Sequence, residues 1–272
     1  MARCGAAVLL LWATLIASSC LAAPLADCTR PLTVGFYAIA PYYYALEDKP
    51  GWHGIDRDLI DELALRTGCR FEARFESRVR IWQQIETGTL DLTVSGIETA
   101  ERQRFATFIA YASERAVLAA RADRAPAPRS PAAVLGDKTL TLAVTRGYRY
   151  GPPFDTWIDS LRASDRVFES ADEDSALRLV ALGRVDATIL RDSAWAIATR
   201  AYPAGSLRLV DMGAPSLNAA LVLSRAVIGP ALEEKIRAAI AEMLRDGTLL
   251  RMLERHMPPD IARRSLPREA PR

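Results

Sequence analysis

The chain has little of what nucleophilic or metal-assisted catalysis draws on. It has two histidines, His53 in a loop and His256 near the last amphipathic segment, and four cysteines. No Ser-His-Asp, metal-ligand or phosphate-loop spacing occurs, so neither a metal nor a cofactor is expected. A dominant charge is missing too. The 35 basic and 33 acidic residues leave a net +2 and are scattered, apart from a basic end at Arg263 and Arg264, which argues against nucleic acid as a partner. Beyond the first two dozen residues no run approaches the ~20 apolar residues of a spanning helix. Internal repeats are also lacking.

What is present begins with Arg3, an apolar run from Ala6 to Ala17, and small residues. This is the pattern of a secretory signal peptide over residues 1–22. Cleavage after Ala22 puts Cys20 and Ala22 at the small-residue positions. A rival reading takes Ala17-Ser18-Ser19-Cys20 as a lipoprotein box with Ala in place of a larger aliphatic residue, which would anchor the mature chain through Cys20. Either way the destination is the periplasm, where disulfides persist. Cys28 precedes the apolar strand from Leu32 to Tyr37, and Cys69 opens the alternating run Phe71, Ala73, Phe75. If those strands are parallel neighbours, both cysteines lie at one end of the sheet and a Cys28–Cys69 bridge is feasible; two separate thiols are the alternative.

Of the 272 residues, half are apolar, enough to bury the core of one large or two modest domains. The first strand runs into an aromatic loop, Ala40-Pro41-Tyr42-Tyr43-Tyr44. A helix then opens at Gly54-Ile55-Asp56-Arg57-Asp58, with Ile55, Leu59, Ile60 and Leu63 at helical spacing, and Gly68 stops it. The Cys69 strand, a helix through Ile81, Trp82 and Ile85, and a buried strand from Leu90 to Val94 complete a β-α-β-α-β order, which means a parallel sheet with crossover helices. The strand should break at Ser95-Gly96-Ile97-Glu98-Thr99, with Thr99 capping a short helix through Glu101 and Arg102. Ligands of open α/β sheets bind at such a junction. A Pro-, Arg- and Ala-rich boundary spans 122–131. A second α/β unit follows, with a strand over Leu140 to Val144, a turn at Gly147, a helix over Ser175 to Leu182 and a strand over Val185 to Leu190. The end reads as a strand, Ala220 to Leu223, and helices over Leu232 to Leu244 and from Leu249.

Gly54-Ile55-Asp56-Arg57-Asp58-Leu59, Gly88-Thr89-Leu90-Asp91-Leu92, Ser95-Gly96 with Glu101-Arg102, Gly183-Arg184-Val185-Asp186-Ala187 and Asp246-Gly247-Thr248, in this order, resemble the polar-amino-acid family of extracellular solute-binding proteins, which serve ABC importers. The resemblance spans Pro31 to Met257. It implies the α/β, two-lobed type II periplasmic-binding fold, each lobe a mixed sheet with flanking helices, joined by two crossover hinge segments. Lobe one would hold residues 30–118 and 222–260, lobe two 119–221, and 261–272 would be a flexible basic tail. A monomer would close on a small carboxylate or amino acid and present it to an ABC permease.

The same resemblance assigns site residues. Arg102 matches the arginine that clamps the ligand carboxylate, a role that suits a planar, permanently charged fork. Thr99 and the amides after Ser95 and Gly96 would add donors. Gly147, Tyr148 and Arg149 match a turn whose amides face the ligand from lobe two, although the family has small hydroxyl residues there. Tyr42 and Tyr44 match aromatics that cover the ligand, while Tyr43 is expected to pack on its own lobe. The positions where family members hold a ligand ammonium with acids are Tyr37 and Arg191 here, with Asp192 one residue on. Rich in arginine and poor in carboxylate, the cleft is expected to favour an anion over a zwitterion. The fold also hosts cyclohexadienyl dehydratases, for which Glu98 would be the proton donor to test. A soluble ligand-sensing partner of a membrane receptor is the third class.

Overall fold

The computed structural model describes residues 26–46, 50–123, 131–152, 154–198 and 202–267. The expected signal peptide, the lipoprotein box at Cys20 and most of the 122–131 boundary lie outside the described residues. Among those residues no helix is long and apolar enough to cross a membrane, and no cluster of metal-ligating side chains occurs.

Strand β1 (Leu32–Phe36) is followed by a short hairpin of β2 (Tyr44–Ala45) and β3 (Trp52–His53), then by helix α1 (Ile55–Thr67), β4 (Phe71–Phe75), α2 (Arg78–Thr87) and β5 (Leu92–Ile97). Strand β1 lies parallel to both β4 and β5, pairing Leu32 with Phe71 and Val34 with Leu92. That puts Cys28 and Cys69 at one end of the sheet, where they form a disulfide with Cα atoms 5.4 Å apart. The anticipated break at Ser95 is a bulge rather than an end. Ser95 takes φ +51, the pairing of β5 slips, and the strand continues to Ile97.

Strand β6 (Ala106–Arg121) is the element that joins the two halves. The chain then runs through α3 (Pro131–Gly136), β7 (Leu142–Thr145), α4 (Phe154–Arg162), β8 (Val167–Ser170), α5 (Glu173–Ala181), β9 (Ala187–Arg191), α6 (Asp192–Ala198) and β10 (Leu207–Val210). It returns through β11 (Ser216–Ser224) and closes with α7 (Pro230–Arg245), α8 (Thr248–His256) and α9 (Pro259–Arg264). The strand order is β4-β1-β5-β11-β6-β9-β7-β8, with β10 also on β6. The N-terminal part of β6 pairs antiparallel with β11, and its C-terminal part with β9 and β10.

Two hydrophobic cores follow from this path. One is a single cluster of buried residues from Leu32 to Ala112 and from Ala219 to Ala262; the other consists of three smaller clusters drawn from Ala116 to Ala214. The core therefore changes along β6 between Ala112 and Ala116 and again just before or within β11. The lobe boundaries proposed from sequence, 118/119 and 221/222, lie a few residues beyond each change. A flexible tail from residue 261 is not what the structure has. Pro259–Arg264 is a helix that buries Ile261 and Ala262, and the Ser113 amide of β6 donates to the Ser265 carbonyl, 2.8 Å. Those apolar side chains keep the basic end folded against the molecule.

Both sheets use the same device to start a central strand. Gly88 and Gly183, at φ +74 and +65, turn the chain out of α2 and α5. Three residues later Asp91 accepts from the Thr33 amide of β1, and Asp186 from the Thr141 amide beside β7, each at 2.8 Å. These Gly-x-x-Asp segments are thus structural staples between a helix exit and the sheet.

Candidate functional site

The strand ends of the two halves face one another. Tyr37 follows β1 and Arg102 follows β5, while Gly147 and Tyr148 follow β7, Glu173 follows β8 and Arg191 ends β9. Thr99 Oγ1 accepts from the Arg102 amide (3.2 Å), as expected of a cap, and the short 3-10 turn over Arg102–Arg104 aims the arginine inward. The Arg102 guanidinium lies 3.6 Å over the Trp82 ring. Its Nη1 donates to the Ile97 carbonyl (2.9 Å) and its Nη2 reaches across the seam to the Gly147 carbonyl (3.3 Å). Only 8% of Arg102 is exposed, and among the described residues no carboxylate forms an ion pair with it. Burial, which disfavours the charged form, lowers its pKa to about 10. Carbonyl dipoles accept its protons but leave its charge uncancelled.

Gly147 carries φ +73, and a Cβ there would press on Val79 at 3.3 Å and Arg78 at 3.4 Å, so this turn docks against the start of α2. Beside it stands Arg78, which sequence reasoning did not single out. It is 6% exposed, and its Nε and Nη2 have no hydrogen-bond partner among the described residues. Its guanidinium lies 4.1 Å from the Tyr37 ring centroid and 5.2 Å from that of Tyr148, one tyrosine from each half. Burial pushes the pKa of both phenols up, so both rings present neutral faces to the cation.

Arg191 is buried as well, but it is neutralised. Glu173 accepts from its Nε (3.2 Å) and Nη2 (2.7 Å), and the same Nη2 donates to the Ala40 carbonyl (2.7 Å) across the seam. Burial alone would depress Arg191; the Glu173 carboxylate more than offsets it and holds the group well above its ordinary value. Tyr42 lies under this pair, fully buried, with its ring 4.9 Å from the guanidinium and its hydroxyl donating to Glu114 of β6. Burial raises Glu114 to about 7 despite the nearby arginine.

The other residues named from sequence have partners within the protein, Tyr43 on its own half as expected. Tyr43 stacks between Phe36 (4.4 Å) and Trp52 (4.8 Å) on its own half, and the Tyr44 hydroxyl bonds His256 Nδ1 (3.2 Å). The Ser95 hydroxyl donates to the buried Asp56 (2.8 Å), and Gly96 is packed so closely that a Cβ would sit 2.2 Å from Val222. Asp192 faces Arg264 of α9 at 3.4 Å. Arg149 is half-exposed and reaches Glu101 at 3.6 Å. Glu98 is exposed, accepts from Gln103, and lines a separate hollow of about 290 Å³ between β6, β11 and α7.

A cavity of about 580 Å³ opens between the halves, lined by Tyr37, Phe75, Arg78 and Val79 on one side and Arg146, Ala171 and Asp172 on the other. A neighbouring hollow of about 300 Å³ lies between the Ala38–Ala45 loop and the first turn of α5. Along the seam lie Tyr37, Arg102, Gly147, Tyr148 and Arg191, all named from sequence, with Arg78 and Glu173 added; of these Tyr37 and Arg78 line the larger cavity. An arginine at a helix start with no acidic residue three or four positions away on its exposed flank was the one available signal for Arg78, and alone it is a weak one.

With this geometry in hand, the chain can be placed. Residues 32–259 match the bacterial extracellular solute-binding proteins, family 3, and the chain belongs to that family. No curated protein sequence matches it. Solved structures similar to it include an ancestral arginine-binding protein bound to arginine, with TM-score 0.71 and 20% identity over 83% of this chain and 97% of that one. The arginine-, lysine-, histidine-binding protein ArtJ of Geobacillus stearothermophilus aligns with TM-score 0.70 and 18% identity over 84% and 95%. An ancestral amino-acid-binding protein described as a precursor of cyclohexadienyl dehydratase aligns with TM-score 0.69 and 19% identity over 84% and 95%. The fold is the two-lobed type II periplasmic-binding fold, and the protein is a solute-binding protein.

Proposed function

We propose that this protein captures a small carboxylate-bearing solute between its lobes, in the periplasm, and delivers it as a monomer to an ABC permease. The observation that carries the reading is Arg102, a buried guanidinium at the seam with no carboxylate partner among the described residues. A charge held out of water at such a place is costly unless a counter-ion arrives. The Gly147 carbonyl gives Nη2 only a dipole, whereas a ligand carboxylate would bring the opposite charge and could take both prongs of the guanidinium at once. Among the described residues, the only carboxylate ion-paired at the seam's buried arginines, Glu173, is spent on Arg191. An anion is therefore favoured over a basic amino acid.

Arg102→Ala should weaken binding by about 2–5 kcal/mol, some thirtyfold or more, read by calorimetric titration with the solute identified by mass spectrometry of denatured protein. Unchanged affinity, or tight binding of arginine or lysine, would sink the proposal. A dehydratase reading requires a proton donor in the cleft. Glu98, the carboxylate considered for it, lines the other hollow, and prephenate turnover lost in Glu98→Gln would be needed to revive that reading.

A further inference from the structure

The larger interlobe cavity, which Arg102 itself does not line, is bordered by a buried cation that the carboxylate-clamping reading does not use. Arg78 lines its wall and is more than nine-tenths buried, with Nε and Nη2 unpaired among the described residues. The other charged groups around that space are engaged. Glu76 bonds Arg80 at 3.4 Å, Asp172 accepts from the Ser175 amide at 2.7 Å as the cap of α5, and Arg146 donates to Glu169 at 3.1 Å. Arg78 and Arg102 flank the same turn, one packed under the Cα of Gly147 and the other bonded to its carbonyl. Two buried arginines thus meet at this turn, Arg78 through its Cβ and Arg102 through Nη2, and among the described residues neither is ion-paired with a carboxylate.

We propose that the ligand bears two anionic groups, one received by Arg102 and the other by Nε and Nη2 of Arg78. The class is a small dicarboxylate, free or as an acidic amino acid. Two fixed cations discriminate by charge count. A ligand with one anionic group leaves the charge of Arg78 without a counter-ion even where a neutral amide oxygen accepts from it, whereas a dianion neutralises both forks. Tyr37 and Tyr148 hold the Arg78 head between their faces, so the fork is ordered before the ligand arrives. Phe75 and Val79, both exposed, supply an apolar wall for the carbon chain between the anionic ends. The volume of about 580 Å³ falls within the roughly 300–1,000 Å³ of small-molecule sites.

This inference rests on the proposed solute-binding role, and near-isosteric pairs that differ by one charge separate the two. The wild-type full chain would be titrated calorimetrically with succinate against succinamate, glutarate against glutaramate, aspartate against asparagine, and glutamate against glutamine. At least one dianionic side should bind ~10–100-fold more tightly than its amide. Arg78→Gln should bring that ratio close to one by weakening the dianion more than its amide, and Arg102→Gln should weaken both members. Should Arg78→Gln fail to fold, judged by ligand-free melting, Arg78→Met keeps the stem between the tyrosines and takes its place with the same expected ratio.

If the charge preference survives in the Arg78 variant while Arg102→Gln still abolishes binding, the dianion assignment is overturned and the solute-binding role stands. Equal binding of amides and dianions by the wild type has the same meaning. If no compound of either kind binds or raises the melting temperature, both fall.

Discussion

At the scale of single residues, the seam separates buried charges by whether they are cancelled. Arg191 has Glu173; Arg102 has only carbonyl oxygens and an indole face. Glu114 lies at the crossing strand, raised by burial to about 7 from an ordinary 4.5. An acid whose pKa is higher in the folded state costs no stability below its unfolded value, where both states are protonated. As pH climbs from about 4.5 to about 7 the unfolded chain gives up its proton first, so the folded state loses relative stability across that window. Glu114→Gln keeps an acceptor for the Tyr42 hydroxyl and removes the titration. Its melting temperature relative to wild type should therefore rise between pH 5 and pH 8, and a constant difference would mean that Glu114 does not change charge there.

At the scale of elements, the first loop is built on one tight approach. Gly54 takes φ +123, and a Cβ would fall 2.2 Å from the Tyr42 carbonyl, which accepts the Asp56 amide at 2.8 Å to open α1. Gly54→Ala should cost about 1–3 kcal/mol in urea unfolding, or more, through the forced shift of Tyr42. Substitution of Gly51, at φ +94 with nothing near its Cβ, should cost less. Much at this scale was legible beforehand. Gly68 and Gly88 end their helices and Thr99 caps its turn, because these signals act within a few residues. Strand β6 was not recognised, since its partners lie far downstream, from Ala187 against Ala120 to Ser224 against Ala106, and change midway along it. The site divided along the same line. Arg102 follows a local strand-to-turn pattern, but the importance of Arg78 comes from two tyrosines that the fold alone brings to its side. The fates of Ser95 and Asp192, tied to Asp56 and Arg264, were set by equally distant partners.

At the scale of the whole molecule, two cores share one strand that passes from one to the other, with β11 returning beside it. Bending between the cores therefore falls on few residues of β6 and β11, the expected geometry of a hinge. The contacts that hold the halves together fall into two kinds. The buried ones are dipolar or aromatic: Arg102 to Gly147, Arg191 to Ala40, and Arg78 with Tyr148. The outer ones are the ion pairs Arg149–Glu101 at 3.6 Å and Arg264–Asp192 at 3.4 Å, with both arginines open to water. The Arg149–Glu101 pair, open to water on both sides, is worth no more than about 1 kcal/mol and fades as salt shortens the Debye length from ~30 Å at 0.01 M to ~3 Å at 1 M, whereas Arg264–Asp192, with its carboxylate buried, is screened less. Ionic strength thus acts as a dial on the resting gape of the empty molecule. Small-angle scattering of ligand-free protein should show a radius of gyration that creeps upward with added sodium chloride, and the creep should be smaller in Arg149→Gln/Arg264→Gln, where the dial has been disconnected.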